Sequence, residues 1–271
     1  MKLASLKQGG RDGTLIVVSK DLSRAVAVPD IAPTLQKALE DWQNAAPRLN
    51  RVFDALNHGN VQSIDAEDVI ALDMTALAAP LPRAYEFVDG SAYLPHVARV
   101  RKARGAEVPD SFYTDPLMYQ GVSAGFYGPR DPVLVSSEDF GIDLEAEVLV
   151  VTDDVPMGVS PAQAAAHIQL IGLINDVSLR NLIPAELAKG FGFLQSKPRS
   201  CLSPVFVTPD ELGEAGLESA SAAADPHQRR MVRCTGSRHR HAVQFRRADR
   251  ACRQDPAAVG RHPRWIRHCG Q

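Results

Sequence analysis

Short apolar runs separated by turn residues dominate the first 75 positions of the chain. The segments GTLIVVSK and RAVAVP have the length and β-branched content of two strands, with a turn at Asp21–Ser23 between them. The next segment, TLQKALEDWQNAAPRLNRVFDAL, has helical periodicity, and we expect Pro47 to interrupt it. Residues 1–75 are therefore predicted to form a small mixed α/β unit.

The stretch FGIDLEAEVLVV at residues 140–151 predicts a strand with an unusual distribution of charge. Its even-numbered side chains are all apolar. The opposite face carries three carboxylates, Asp143, Glu145 and Glu147, and then becomes apolar at Leu149 and Val151. Two carboxylates about 7 Å apart on one strand face raise one another's pKa unless a positive charge lies between them. A divalent cation would supply that charge, and a solvated outer face is the simpler alternative.

A second acidic position follows the segment SPAQAAAHIQLIGLINDVSLRN. Ser160 has the features of a helix N-cap, with Pro161 and Gln163 at the first and third helical positions. The apolar run IQLIGLIND then ends at Asp176 and fits either a buried strand or a continuing helix. If the residues after Asp176 are helical, the side chains of Asp176 and Arg180 lie on the same side of the helix. The two residues would then form either a functional pair or an ordinary surface ion pair.

Two further segments carry candidate chemistry. In EFVDGSAYLPH, Asp89 and His96 are seven residues apart, and a histidine held by a carboxylate is the usual arrangement of a general base. A loop histidine without a function is the alternative. In KGFGFLQSKP, Gly190 and Gly192 precede Lys197, which could meet an anionic group, although the spacing is not that of a phosphate-binding loop.

Composition predicts a folded protein, with 45% hydrophobic and 23% charged residues. No run of eighteen apolar residues predicts a membrane span, and the first residues lack the apolar core of a signal peptide. Cys201 stands alone before the last fifty positions, as is typical of a reducing compartment. We therefore expect a cytoplasmic protein with no membrane partner.

The net charge of −2 conceals a change in composition near residue 222. Residues 222–271 contain twelve Arg, no Lys and three Asp, a balance of +9, whereas the first 221 residues have a balance of −11. A basic nucleic-acid-binding arm and a disordered tail are two interpretations of this segment. Nucleic-acid binding is the less favoured, because Cys and Trp lie among the arginines and Lys is absent. The favoured interpretation is a reading-frame change in a GC-rich gene.

Taken together, the order of these motifs resembles that of the fumarylacetoacetate hydrolase family. The pattern runs from Asp89 and His96, through the E-x-E pair and NDVSLR, to Lys197, and the resemblance covers about residues 81–212. It implies an α+β protein with a β-rich, mixed-sheet catalytic domain and a small N-terminal domain. We expect residues 1–75, 76–221 and 222–271 to be the N-terminal domain, a C-terminally incomplete catalytic core and an unrelated, disordered tail.

The resemblance also implies a role for each candidate residue. His96 corresponds to the general base, Tyr119 to a substrate-contacting tyrosine, and Arg180 and Lys197 to the cations that stabilise negative charge on the substrate. A catalytic Mg²⁺ or Ca²⁺ would be held by four carboxylates: Asp89, Glu145, Glu147 and Asp176. The implied reaction is hydrolysis of a carbon–carbon bond in a 1,3-dicarbonyl acid such as fumarylacetoacetate, as in tyrosine degradation, by a homodimer.

Two departures from the family pattern leave the substrate open. Ile183 stands where the animal hydrolases have a glutamine, and Ser91 stands where they have a tyrosine. Relatives with the same metal site act as 2-oxo acid hydratases, decarboxylases or acylpyruvate hydrolases. The alternatives are therefore one of these activities, or an inactive truncated product that retains the metal ligands.

Overall fold

In a computed structural model of the chain, the residues described are 1–58, 65–91, 98, 101–102, 105, 107–110, 117–121 and 124–213. The predictions for His96 and for the tail at 222–271 lie outside these residues. Eight of the described strands form one sheet: β1 Lys2–Leu6, β2 Thr14–Val18, β3 Arg24–Ala27, β4 Val69–Ala71, β8 Ala146–Thr152, β9 Ile168–Asn175, β11 Cys201–Leu202 and β12 Phe206–Val207. Their order in the sheet is β11-β9-β12-β1-β2-β3-β4, with β8 paired to β9.

Two smaller antiparallel pairs lie outside that sheet. Strand β5 (Val88–Ser91) pairs with β6 (Leu117–Gln120), and β7 (Ile142–Asp143) pairs with β10 (Ser178–Leu179). The described α-helices are α1 Leu35–Glu40, α2 Trp42–His58, α3 Pro161–Ala165 and α4 Ile183–Leu187. Single 3₁₀ turns occupy Ala66–Asp68, Glu138–Phe140 and Pro209–Leu212.

The two strands predicted near the N-terminus are confirmed as β2 and β3, but the helix break predicted at Pro47 is wrong. The break falls at Asp41, whose φ of −135° and ψ of 46° are not helical. Pro47 lies inside α2, where its missing N–H forfeits only the bond to the carbonyl of Gln43. Burial of one helix face, with Leu49 and Phe53 in the main core, stabilises α2 around that gap.

The segment 140–151 forms two strands rather than the single strand predicted. Leu144 and Glu145 lie between β7 and β8 and belong to neither strand. Within β8, Leu149 and Val151 pack against the main core, and Glu147 shares their face. On the opposite face, Val148 is 55% exposed. The acidic face therefore points inward, as the metal hypothesis requires, and part of the apolar face is exposed.

Strand β9 pairs with three other strands of the main sheet. The capping box predicted at Ser160 and Gln163 is confirmed, and the apolar run after it is a strand rather than a helix. One edge of β9 pairs with β8, and the other pairs with β11 and β12. Gly172 in β9 lies against the ring of Phe206, where a Cβ atom would clash.

The main sheet also crosses the domain boundary predicted at residues 75 and 76. Lys2 in β1 pairs with Val207 in β12, so the N-terminal strands continue the sheet that contains β9. Buried side chains from both segments, including Leu15 and Leu170, share the main core. The described residues thus have the predicted α+β, β-rich architecture, while the boundary itself stays a prediction. No helix among them is long and apolar enough to cross a membrane.

Candidate metal centre

Three carboxylates from separate elements converge on one point. Asp89 lies in β5, Glu147 in β8, and Asp176 directly after β9. One oxygen from each lies within 4.8 Å of the others, a spacing that allows all three to bind one metal ion. Carboxylate oxygens are the ligands that hard divalent cations prefer. The donor set therefore fits a divalent metal ion.

Backbone pairing explains how distant residues reach the same point. In the β8–β9 register, Glu147 lies opposite Ile174, two residues before Asp176. Beyond the end of β9, the Asp176 N–H donates to the carbonyl of Glu145 at 2.8 Å. Asp89 is brought in by the β5–β6 pair, where it lies directly opposite Tyr119. Each ligand is therefore fixed by a strand or strand end rather than by a free loop.

The carboxylates repel one another when no cation is bound. Burial and the charges of Asp89, Asp176 and Glu145 raise the pKa of Glu147 to about 8. Burial and the charge of Asp176 also raise the pKa of Asp89. At neutral pH the Glu147 carboxyl group is therefore mostly protonated, and a metal ion would displace its proton.

Lys197 provides the positive charge on one side of the cluster. Its ammonium nitrogen lies 2.5 Å from Asp176 Oδ2 and 2.6 Å from Glu145 Oε2. Burial lowers the pKa of Lys197, but the charges of Glu145 and Asp176 outweigh burial and leave that pKa above its ordinary value. Lys197 is therefore charged, as its predicted role requires.

Glu145, the fourth predicted metal ligand, has two cationic partners. Its carboxylate accepts hydrogen bonds from Lys197 and from Arg180. Burial alone would raise the pKa of Glu145, but the charges of Lys197 and Arg180 outweigh it and lower that pKa. Glu145 lies outside the three-carboxylate group, so its role as a metal ligand stays a prediction.

Arg180 reaches the site by a route that helical spacing did not predict. Residues 178–179 form β10 rather than a helix, and Arg180 therefore turns toward β7. Its Nε donates to Asp143 Oδ2 at 2.8 Å, and its Nη2 donates to Glu145. The pairing with Asp176 expected for a helical segment is replaced by a pairing with these two carboxylates of the opposite segment.

Two aromatic residues, Tyr119 and Phe193, lie beside Asp176 and Lys197. The Tyr119 hydroxyl donates to Asp176 Oδ2 at 2.8 Å, and the Phe193 ring packs edge-on against Tyr119 with centroids 4.8 Å apart. Burial and the adjacent charges of Asp176 and Asp89 raise the pKa of Tyr119, so its phenol stays protonated. The Lys197 nitrogen lies 5.9 Å from the Phe193 centroid. Tyr119 thus lies beside the predicted metal ligands, while its contact with substrate stays a prediction.

The sequence analysis missed two residues that support the site. The hydroxyl of Ser200 donates to Asp176 Oδ1 at 2.9 Å, which fixes the second oxygen of that carboxylate. The carboxylate of Glu186 accepts the backbone N–H groups of Leu194, Gln195 and Ser196, directly before Lys197. Neither contact has a local signal, because a serine three residues after a lysine and a glutamate in a short helix are common.

Two protein families match the sequence of this chain. The fumarylacetoacetase N-terminal domain 2 family matches residues 1–83, and the fumarylacetoacetate (FAA) hydrolase C-terminal family matches residues 86–239. The second match continues past residue 222, where the sequence analysis expected family similarity to end. None of the curated protein sequences matches the chain.

One of the solved structures similar to this chain supports the same fold at a TM-score above 0.5. A protein from Mycobacterium smegmatis assigned as HpcE aligns with 79% of this chain and 68% of its own, at 20% identity and a TM-score of 0.53. Fumarylacetoacetate hydrolase from Exiguobacterium antarcticum aligns with 78% of this chain and 67% of its own, at 20% identity and a TM-score of 0.47. Maleylpyruvate hydrolase from Sphingobium sp. SYK-6 aligns with 79% and 70%, at 15% identity and a TM-score of 0.47. Because residues 86–239 make up more than half of the sequence, the chain belongs to the fumarylacetoacetate hydrolase family.

Proposed function

We propose that this protein is a metal-dependent hydrolase that cleaves a carbon–carbon bond in a 1,3-dicarbonyl acid such as fumarylacetoacetate, yielding fumarate and acetoacetate. The observation that carries the proposal is the convergence of Asp89, Glu147 and Asp176 within 4.8 Å, beside the buried ammonium group of Lys197. Membership of a family of metal-dependent enzymes supports the same conclusion.

The three carboxylates would hold Mg²⁺ or Ca²⁺, with Glu145 as a further candidate ligand. A divalent ion bound there would act as a Lewis acid toward the two carbonyl oxygens of the substrate. These carboxylates would bind the ion through oxygen atoms alone, which suits a hard cation. A site with three carboxylates and one lysine also has a net negative charge when these groups are ionised, which attracts a divalent cation.

His96 is assigned the role of general base. It would take a proton from a water molecule, whose oxygen attacks the carbonyl carbon next to the unsaturated chain. The bond to the adjacent carbon then breaks, and its electron pair leaves with the acetoacetate fragment as an enolate. A proton returns to that carbon, so that water is added across the broken bond.

Lys197 and Arg180 are assigned to the negative charge that develops during this step. Both already lie beside the acidic cluster, held by Glu145. A buried ammonium group is an effective electrostatic partner, because it is fixed before the reaction and poorly screened by water. The Tyr119 hydroxyl lies close enough to Asp176 to orient a substrate oxygen near the same group.

Turnover of fumarylacetoacetate with and without Mg²⁺ tests the proposal. We expect loss of the substrate's absorbance together with equal amounts of fumarate and acetoacetate, abolished by chelation and restored by Mg²⁺ or Ca²⁺. A 2-oxo acid substrate that yields a hydrated chain, carbon dioxide or pyruvate instead would assign the related activities. Absence of turnover on every substrate by a folded, metal-loaded protein would support the inactive-product alternative.

The proposal includes a cytoplasmic homodimer. Light scattering at micromolar concentration would give twice the 29.4 kDa mass of the chain. A monomer that retains full turnover would exclude dimerisation as a requirement for activity.

A further inference from the structure

A second candidate binding site lies where the β1–β2 loop meets the segment 78–83. An open cavity of about 370 Å³ is lined there by four basic side chains, Lys7, Arg11, Arg83 and Arg199. No acidic side chain of the described residues lines it, and none of the metal-site carboxylates does. Such a concentration of positive charge around a concave space favours an anionic ligand.

Two of these cations are held in place by carboxylates. Lys7 Nζ lies 2.7 Å from Asp131 Oδ1. The guanidinium of Arg83 forms a two-pronged pair with Asp12, with N–O distances of 2.7 and 2.6 Å. These pairs fix the positions of Lys7 and Arg83 at the wall while using part of their charge.

The other two cations have no carboxylate partner among the described residues. Arg199 is held by neutral groups, because its Nε donates to the carbonyl of Ala124 at 2.9 Å and its guanidinium lies 5.1 Å from the Tyr127 ring centroid. Arg11 is exposed and makes no ion pair in the described part of the chain. Two positive charges at the cavity are therefore uncompensated.

The loop that carries Arg11 leaves the cavity open. Gly10 and Gly13, which also line it, have φ angles of +98° and +70°, which side-chain-bearing residues rarely adopt. Arg11 directly follows Gly10 in this loop, and two of the loop residues that line the cavity have no side chain. A small ligand could thus reach the loop backbone as well as the guanidinium groups.

We propose that this cavity binds a small dianion through its carboxylate or phosphate groups. Guanidinium groups suit both, since their N–H groups match the paired oxygens of either anion. Arg11 and Arg199 supply the uncompensated charge, and Lys7 and Arg83 supply fixed positive walls. Because the carboxylates of the acidic cluster do not line this cavity, its ligand is distinct from the ion proposed at that cluster.

Calorimetry with inorganic phosphate and with succinate tests this proposal in metal-free buffer at constant ionic strength. Arg11→Gln and Arg199→Gln should each weaken the affinity at least fivefold. Arg51→Gln, the same change at an exposed position of α2, should leave the affinity unchanged. Because Arg11 is exposed, its variant keeps the test valid even if Arg199→Gln perturbs folding.

The relative affinity for the two probes identifies the chemical class, since tighter binding of phosphate indicates a phosphorylated ligand and tighter binding of succinate a dicarboxylate. Either result supports the proposal, provided that Arg11→Gln and Arg199→Gln weaken the binding of the probe. Absence of binding by both probes would overturn it. Equal weakening by Arg51→Gln would also overturn it, because the attraction would then reflect net charge alone.

Discussion

The ammonium group of Lys197 and the carboxylate of Asp176 form a buried ion pair at 2.5 Å, with Lys197 7% exposed and Asp176 1% exposed. Charges at this depth are poorly screened, so each depends on its partner for stability. The same carboxylate is a candidate metal ligand. Lys197 therefore connects the stability of the fold to the proposed chemistry.

Substitution Lys197→Met should destabilise the metal-free protein by about 3 kcal/mol, because it leaves Asp176 buried without its cation and Glu145 paired with Arg180 alone. Mg²⁺ should restore part of that loss by replacing the missing charge, and turnover should still be abolished. Urea unfolding with and without Mg²⁺ measures both effects. Lys37→Met is the matched control, because the Lys37 side chain is 62% exposed in its pair with Glu40 and its loss should change the free energy of unfolding little.

Glu147 should make the metal-free protein less stable at alkaline pH. Its pKa is raised to about 8 in the folded state, from 4.5 in a free side chain. A carboxyl group with a raised folded pKa contributes stability below pH 4.5 that is lost as the pH rises through about 8. Glu147→Gln should therefore stabilise the metal-free protein at pH 9 by about 1–3 kcal/mol and change little at pH 4. An equal effect of the substitution at both pH values would contradict the raised pKa.

Only part of this site could be predicted from short-range sequence signals. The capping box at Ser160 has a short-range signal and was predicted, whereas the apolar run before Asp176 fitted a strand or a helix until the structure identified it as a strand. The convergence of Asp89 with the other carboxylates depends on strand pairing between distant segments. It was expected only from the resemblance to a family.

Other features had no local signal. The break at Asp41 replaced the one expected at Pro47, because core packing of α2 outweighs the missing hydrogen bond. The exposed position of Val148 contradicts the simple rule that the apolar face of a strand is buried. The contact between Ser200 and Asp176 spans 24 residues, and no periodicity indicates it.

Glu186 should act by positioning the segment that carries Lys197. Its carboxylate accepts backbone N–H groups at 3.0, 2.7 and 3.1 Å from three successive residues, 194–196, and also the Ser196 hydroxyl. Partial burial raises its pKa, but these hydrogen bonds outweigh burial and lower the pKa to about 2. Glu186→Ala should reduce kcat about tenfold or more with little change in metal affinity.

Hydrogen exchange provides a measurement of this effect that does not depend on activity. The amides of Leu194, Gln195 and Ser196 should exchange faster in Glu186→Ala than in the wild type. In Glu186→Gln, whose amide oxygen retains part of the contact, their exchange rates should lie between those two. Glu138→Ala, an exposed change in a separate turn, serves as control. Unchanged exchange at residues 194–196 would show that the Glu186 contacts do not hold the segment.

His96→Ala should lower kcat at least a hundredfold, because the proposed general base is removed. Metal affinity should stay within about twofold of wild type, since the candidate ligands are carboxylates. Steady-state kinetics and calorimetry on the same preparation measure the two quantities. Retention of turnover would assign the proton transfer to another residue, and loss of metal binding would make His96 a ligand.

Calorimetric titration of Mg²⁺ into the wild-type protein and Glu147→Gln tests the proposed metal centre most directly. We expect one bound ion per chain in the wild type, an affinity that increases up to about pH 8 as Glu147 loses its proton, and at least tenfold weaker binding in Glu147→Gln. Glu138→Gln, which removes an exposed carboxylate elsewhere, should bind as the wild type does. Equal affinity in wild type and Glu147→Gln would contradict a metal site built from Asp89, Glu147 and Asp176.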